Sequence, residues 1–289
     1  MTQADTGRAA APIGIFDSGF GGLTVARAVI DQLPYEDVVY LGDTARLPYG
    51  TRSADSIRRY SLQAAARLHD SGVKCLVVAC NTASAVALDA LAHEFAPAPV
   101  LGVLEPGAVA ACRATRTGRI AVIATESTVR GGAYETAIRY ERPTAVVSAR
   151  ACALLVALAE EGWIDGPVVE GVLHRYLDGL FDAAGDAKRP DTLLLGCTHF
   201  PVFAPLIARM LGACVTIVDS AATTADALRR ALDAAKLTRA ARDTGTIRLL
   251  ATDGAERFAR SGATFLGRRL EASDIEIVDL ATDPPILRS

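Results

Sequence analysis

Nine short apolar runs punctuate the chain: IGIF (13–16), DVVYLG (37–42), CLVVA (75–79), PVLGV (99–103), RIAVIA (119–124), AVVS (145–148), TLLLG (192–196), VTIVD (215–219) and TIRLLA (246–251). They are rich in Val, Ile and Leu and do not alternate with polar residues, the pattern of strands covered on both faces. Between them apolar residues recur at helical spacing. Ala87, Leu88, Leu91 and Phe95 form one such stripe before Pro97 and Pro99, and Phe203, Leu206, Ile207 and Met210 form another before Gly212. Strands alternating with helices predict an α/β fold built on parallel sheet with crossover helices.

The length, 289 residues, suffices for two such units. IGIFDSG and IAVIATEST each open a βαβ-like series, and the pattern breaks near GVLEPGA (102–108). Two related lobes are therefore expected: 12–103 with 217–289 returning to complete the first, and 104–216 forming the second. Residues 1–11 carry neither a basic start nor an apolar core and are read as a disordered tail rather than a secretory signal.

Thirty basic against thirty-three acidic residues, with no long block of like charge, give no patch for nucleic acid or a membrane surface. The apolar runs are too short to cross a bilayer. Six cysteines scattered through the chain suggest free thiols in a reducing cytosol. There is no C-x-x-C pair and no H-E-x-x-H, and only four histidines, so no metal site is expected.

Open parallel sheets bind ligands at the carboxyl ends of their strands, where helix N-termini point. Every unusual polar cluster sits at such an end: Asp17-Ser18-Gly19, the stretch from Asp43 to Tyr49-Gly50, Cys80-Asn81-Thr82, Thr125 with Thr128, and Cys197-Thr198-His199. The hydroxyls and amides could simply cap helices, but capping is compatible with holding carboxylates on exposed backbone N–H groups. The FDSGFGG turn lacks a Walker lysine, and Thr24 stands where a dinucleotide fingerprint would place its third glycine. Its glycines are better explained by a tight turn and a close backbone approach.

Most free cysteines are small buried hydrophobes, and Cys75, Cys112, Cys152 and Cys214 are read so. Cys80 and Cys197 differ, because each stands between a strand end and a helix start, where unpaired N–H groups favour thiolate. Two thiols in equivalent positions could face opposite sides of one ligand and move a proton through a planar carbanion. No lysine falls within the five clusters, as a pyridoxal Schiff base would require.

FDSGFGGLTV, GDTARLPYG, ACNTAS, VIATESTV and GCTHFP, in this order, resemble the glutamate racemases of the cofactor-independent aspartate/glutamate racemase superfamily, from about residue 12 to the VDL near 279. The resemblance implies a cytoplasmic isomerase that interconverts L- and D-glutamate without a cofactor, supplying D-glutamate for peptidoglycan and cell shape. It also implies two α/β lobes around a buried site, and frequently a homodimer. Carried onto this sequence, it makes Cys80 and Cys197 the acid/base thiols, assisted by Asp17 and His199. Asp17, Ser18, Tyr49, Gly50, Asn81, Thr82, Thr198 and His199 would hold the substrate, with Thr125 and Thr128 nearby. The stretch ACALLVALAEEGW supplies an acidic residue mapped to Glu160, with Glu161 open because Ala153 and Ala157 stand where proline is common in relatives. Competing readings are an aspartate racemase, a one-thiol decarboxylase of the same superfamily, and a two-lobed dicarboxylate-binding protein without chemistry.

Overall fold

The computed structural model describes residues 3–181, 189–241 and 243–280. Parts of the expected tail (1–2), second lobe (182–188) and returning segment (242, 281–289) lie outside the described residues. All nine apolar runs become strands: β1 Ile13–Asp17, β2 Val38–Gly42, β3 Cys75–Val78, β4 Val100–Gly102, β5 Arg119–Ala124, β6 Val146–Ala151, β7 Thr192–Gly196, β8 Thr216–Asp219 and β9 Ile247–Ala251. A tenth, β10 Ile275–Ile277, has no counterpart among the runs, being three residues long with Glu276 exposed at its centre.

Every pairing among the described residues is parallel. The strands form two sheets, ordered β10-β9-β2-β1-β3-β4 and β6-β5-β7-β8. β1, β2, β3 and β7 are buried along their whole lengths, which is why their sequences carry no polar alternation. β6, at a sheet edge, alternates exposed and half-buried residues over its first half.

The order β2-β1-β3-β4 of the first sheet repeats as β6-β5-β7-β8 in the second. In each, the chain runs outward on one side of its first strand and then crosses to the other. That reversal opens a crevice between β1 and β3 in one sheet and between β5 and β7 in the other. The clusters carrying Asp17 and Cys80 follow β1 and β3, and those carrying Thr125 and Cys197 follow β5 and β7.

Helix α11, Ser220–Ala235, packs on both α2 (Leu23–Gln32) and α5 (Leu104–Ala114) and so joins the two halves. One buried apolar cluster runs through the junction, containing Ile13, Ile15 and Tyr40 as well as Leu193, Leu195 and Phe200. β8 pairs with β7 through Asp219, so the expected return at residue 217 falls inside the last strand of the second sheet.

The expectation of a disordered tail is corrected over residues 3–10, which form α1 (Gln3–Ala10). Ala9 is buried, and its carbonyl accepts a hydrogen bond from Lys74 Nζ at 2.8 Å. Lys74 is itself buried and ion-paired with Glu36, and Glu36 Oε1 accepts the Arg239 N–H at 2.8 Å. A buried ammonium needs such partners, and the end of α1 supplies one of them. No described helix is long and apolar enough to cross a membrane.

Candidate active site

Both crevices open into one cavity of about 300 Å³, large enough for a small molecule. Cys80, Asn81 and Thr82 enter its wall from the start of α4 (Asn81–Glu94), with Ser18 from the β1 turn and Tyr49-Gly50 from a 3₁₀ turn after β2. Thr125, Glu160, Cys197, Thr198 and His199 enter from the other half. Asp17 and Thr128 stand behind this wall, both buried, touching residues that form it. A roomier, more open hollow of about 590 Å³ between β4, α5 and α11 contains no thiol or imidazole. The smaller cavity alone of these two is lined by thiols and an imidazole.

The two thiols have different neighbours. Cys80 caps α4, and its sulfur donates to Ser18 Oγ at 3.5 Å. Burial pushes this thiol up to about 12, the Asp17 charge adds to the rise, and the Ser18 hydroxyl and Ala83 N–H oppose it. The helix terminus that favours thiolate in the sequence reading is thus outweighed by desolvation. Asp17 is itself raised by burial, against the charge of His199 and the N–H groups of Gly22, Gly19 and Ser18. Its Oδ2 accepts the Gly19 N–H at 2.9 Å, while Oδ1 is buried with no hydrogen-bond partner among the described residues.

Cys197 precedes a 3₁₀ turn, Phe200–Phe203, before α10 (Ala204–Leu211) begins. Its sulfur lies 3.8 Å from His199 Nδ1, and His199 Nε2 lies 3.2 Å from Glu160 Oε1. Burial acts to lower the His199 value, but Cys197 and Glu160, with the Asp17 charge, raise it to about 10. A charged imidazole between a thiol and a carboxylate is placed to stabilise negative charge on that sulfur. Gly21 makes room for it: a Cβ there would lie 2.4 Å from His199 Nδ1 and 2.6 Å from Thr198 Oγ1. Gly22 serves Asp17 in the same way, with a hypothetical Cβ 2.4 Å from Asp17 Cβ.

Glu160, at the end of α8 (Ala153–Glu160), is the carboxylate that reaches the cavity, and Glu161 is exposed. Thr82 and Thr125 join hydroxyls at 3.0 Å, and Thr128 meets them at 3.3 and 3.0 Å, so this triangle closes across the two halves. Asn81 Nδ2 donates to the Tyr134 hydroxyl at 2.6 Å, while its Oδ1 is a buried acceptor with no partner among the described residues. Tyr49 donates to Asp43, which also pairs with Arg46 at 2.7 Å, fixing the turn that carries Gly50. The cavity and its immediate surroundings thus bring together carboxylate and amide acceptors, hydroxyls with helix-start N–H groups, and two thiols.

Sequence reasoning passed over Arg257 and Tyr134. Arg257 lines the cavity and its Nη2 lies 2.9 Å from Glu160 Oε2. A strand-end signal for it was present, since TDG follows TIRLLA as the other clusters follow their runs. Tyr134 offers no comparable signal.

Residues 23–228 match the family model for Asp/Glu/hydantoin racemases. A glutamate racemase of Geobacter metallireducens is 47% identical over 258 residues, 89% of this chain and 93% of that protein. The fold resembles the crystal structure of a Francisella tularensis glutamate racemase in complex with D-glutamate, with TM-score 0.85 and 34% identity over 95% of this chain and 100% of that one. It also resembles a Thermus thermophilus glutamate racemase in complex with β-chloro-D-alanine, with TM-score 0.82 and 40% identity over 94% of this chain and 98% of that one.

Proposed function

The chain belongs to the Asp/Glu/hydantoin racemase family and is a racemase, and from that premise we propose that it interconverts L- and D-glutamate by moving a proton between Cys80 and Cys197 at the substrate Cα. The observation that carries this reading is the convergence of both thiols, one from each crevice, on the same cavity. A racemase without a delocalising cofactor must abstract a proton from one side of a stereocentre and return another from the opposite side. One sulfur must then be ionised while the other is protonated, and the roles exchange with direction.

The resting site fits that division. Cys80, pushed up to about 12 by burial, suits the acid role, and the charged His199 beside Cys197 is placed to balance negative charge on that sulfur when it acts as the base. Substrate binding makes the reverse assignment accessible, because the incoming ammonium restores near Cys80 the positive potential that burial and Asp17 remove. The unpartnered Asn81 Oδ1 and the carboxylate of Asp17 suit that ammonium. The threonine triangle, Ser18, Tyr49-Gly50, Thr198 and the N–H groups opening α4 suit the two carboxylates. Glutamate is supported over other acids by the Geobacter glutamate racemase at 47% identity and by the D-glutamate bound to the Francisella protein. In the cell, a homodimer in the cytoplasm would supply D-glutamate for peptidoglycan.

The deciding experiment is incubation with L- or D-glutamate in heavy water, with aspartate in parallel, following deuterium at Cα and the chirality of the product. Cys80→Ala and Cys197→Ala should each abolish net racemisation of glutamate. Full turnover by Cys197→Ala would end the two-thiol reading, and equal turnover of aspartate would end the choice of glutamate.

A further inference from the structure

Glu160 is held from two directions. Its Oε1 faces His199 within its own half of the molecule, whereas Oε2 meets Arg257 Nη2 at 2.9 Å. Arg257 lies on α12 (Ala255–Leu266), which follows β9 of the first sheet. One turn on, Ser261 Oγ donates to the Glu160 carbonyl at 3.0 Å. α12 therefore grips the end of α8 by both side chain and backbone, across the boundary between the two halves. Glu160 is only 11% exposed at its side chain and Arg257 is 49% exposed, so the pair sits at the rim with its carboxylate inward. The Arg257 guanidinium also lies over the Phe20 ring, 5.4 Å from its centroid, which restricts where it points.

We propose that Arg257, seconded by Ser261, is a positioning residue for the Cys197 side of the reaction. It fixes Glu160 against His199 from the opposite lobe, so that the Cys197–His199–Glu160 row is complete only when the two halves are closed together. The groups facing His199 are Cys197, Glu160 and the Thr198 hydroxyl, with Asp17 acting on it electrostatically and the Phe265 ring at its edge. Of these, Glu160 alone is held from the other half by a charged side chain. On the Cys80 side, Ser18 and Asp17 belong to the same half as Cys80, and the ties across the boundary are neutral hydrogen bonds of Asn81 and Thr82, with no ion pair to the other half among the described residues. The inference rests on the two-thiol reading above.

L- and D-glutamate have equal free energies, so kcat/KM must remain equal in the two directions in any variant, and a one-sided defect cannot appear there. It appears in isotope effects. With Cα-deuterated L- and D-glutamate, Arg257→Gln should lower kcat about fivefold in a half-exposed ion pair. It should also raise the primary deuterium effect for the enantiomer whose proton faces Cys197 and lower it for the other, as the Cys197 step becomes limiting in both directions. Arg257→Lys should restore most of the rate, and Ser261→Ala should shift the isotope effects in the same sense by less. Isotope effects that move together for both enantiomers, or an Arg257→Lys variant no better than Arg257→Gln, would assign Arg257 a general structural role and overturn the proposal. If Cys197→Ala is inactive while Arg257→Gln behaves as wild type, this inference alone fails. If Cys197→Ala turns over normally, the two-thiol reading fails first.

Discussion

Across the cleft, the Tyr134 hydroxyl on α7 (Ala133–Glu141) accepts a 2.6 Å hydrogen bond from Asn81 Nδ2 at the start of α4. That bond decides which end of the Asn81 amide is left over: Nδ2 is occupied, and Oδ1 remains a buried acceptor with no partner among the described residues. Tyr134 is buried, and burial keeps its hydroxyl well above the usual phenol range, so it meets Asn81 as a neutral group. Gly196, next to Cys197, is part of the same arrangement, since a Cβ there would lie 2.6 Å from Tyr134 Cε2.

Tyr134→Phe removes the acceptor and frees the amide to turn. With Asn81 holding the substrate as proposed above, the expected outcome is a KM for both enantiomers raised about tenfold, with kcat changed by less than about threefold, because the bond orients the Asn81 amide and touches neither thiol. Steady-state kinetics on each enantiomer check this. A drop confined to kcat would contradict it.

Gly21→Ala tests the clearance behind His199. A methyl group 2.4 Å from Nδ1 must displace the ring, and the displacement acts on the contacts with both Cys197 and Glu160. A catalytic group moved by about 1 Å costs roughly a hundredfold in rate. The variant should lose about that much kcat while retaining a near-normal thermal midpoint, read by progress curves and thermal unfolding. Unchanged kcat would show that the ring relaxes without penalty.

The parts legible in the sequence were those set by local pattern. β1 to β9 announce themselves because two-sided burial removes polar residues from them, and Cys80 and Cys197 stand out because each interrupts such a run where a helix begins. β10 escaped notice because three residues around an exposed Glu276, paired with Arg248 at 2.7 Å, carry no periodic signal. The helix over 3–10 has no signal of its own in the sequence, because its carbonyl at Ala9 meets Lys74, far along the chain. The balance at Cys80 was also out of reach. Its helix-start position argues for thiolate, whereas the opposing desolvation depends on everything packed around it. Arg257 and Tyr134 matter through partners in the other half, Glu160 and Asn81, and no spacing encodes those meetings.

His199 gives stability a pH dependence of definite sign. Its folded value of about 10 lies above its ordinary 6.5, so folding favours the charged ring. Below 6.5 both states are protonated and the full contribution is present. It shrinks as pH rises from there and is lost on passing about 10. The gap in Tm between wild type and His199→Gln should therefore be widest near pH 6, on the order of 5 °C, and should close by pH 10. Thermal unfolding across that range checks the sign. A gap that widens toward alkaline pH would mean that the ring is neutral in the folded protein.

The Lys74–Glu36 pair lies at the amino ends of β3 and β2, opposite the cavity, and should govern stability without touching turnover. Lys74→Met leaves the Glu36 carboxylate buried and unpaired and removes the donor to Ala9, which should cost about 3–5 kcal/mol and lower Tm by roughly 10 °C. Adding Glu36→Leu removes the stranded charge, so the double variant should recover part of the loss. Recovery should be incomplete, because the Arg239 N–H, now bonded to Glu36 Oε1 at 2.8 Å, is left without its acceptor. Chemical denaturation of the two single variants and the double variant gives the coupling directly. Activity per folded molecule should match wild type in all three, since no residue of the cavity wall touches the pair. A double variant no more stable than Lys74→Met would mean that the lost α1 contact, rather than the stranded carboxylate, dominates the cost.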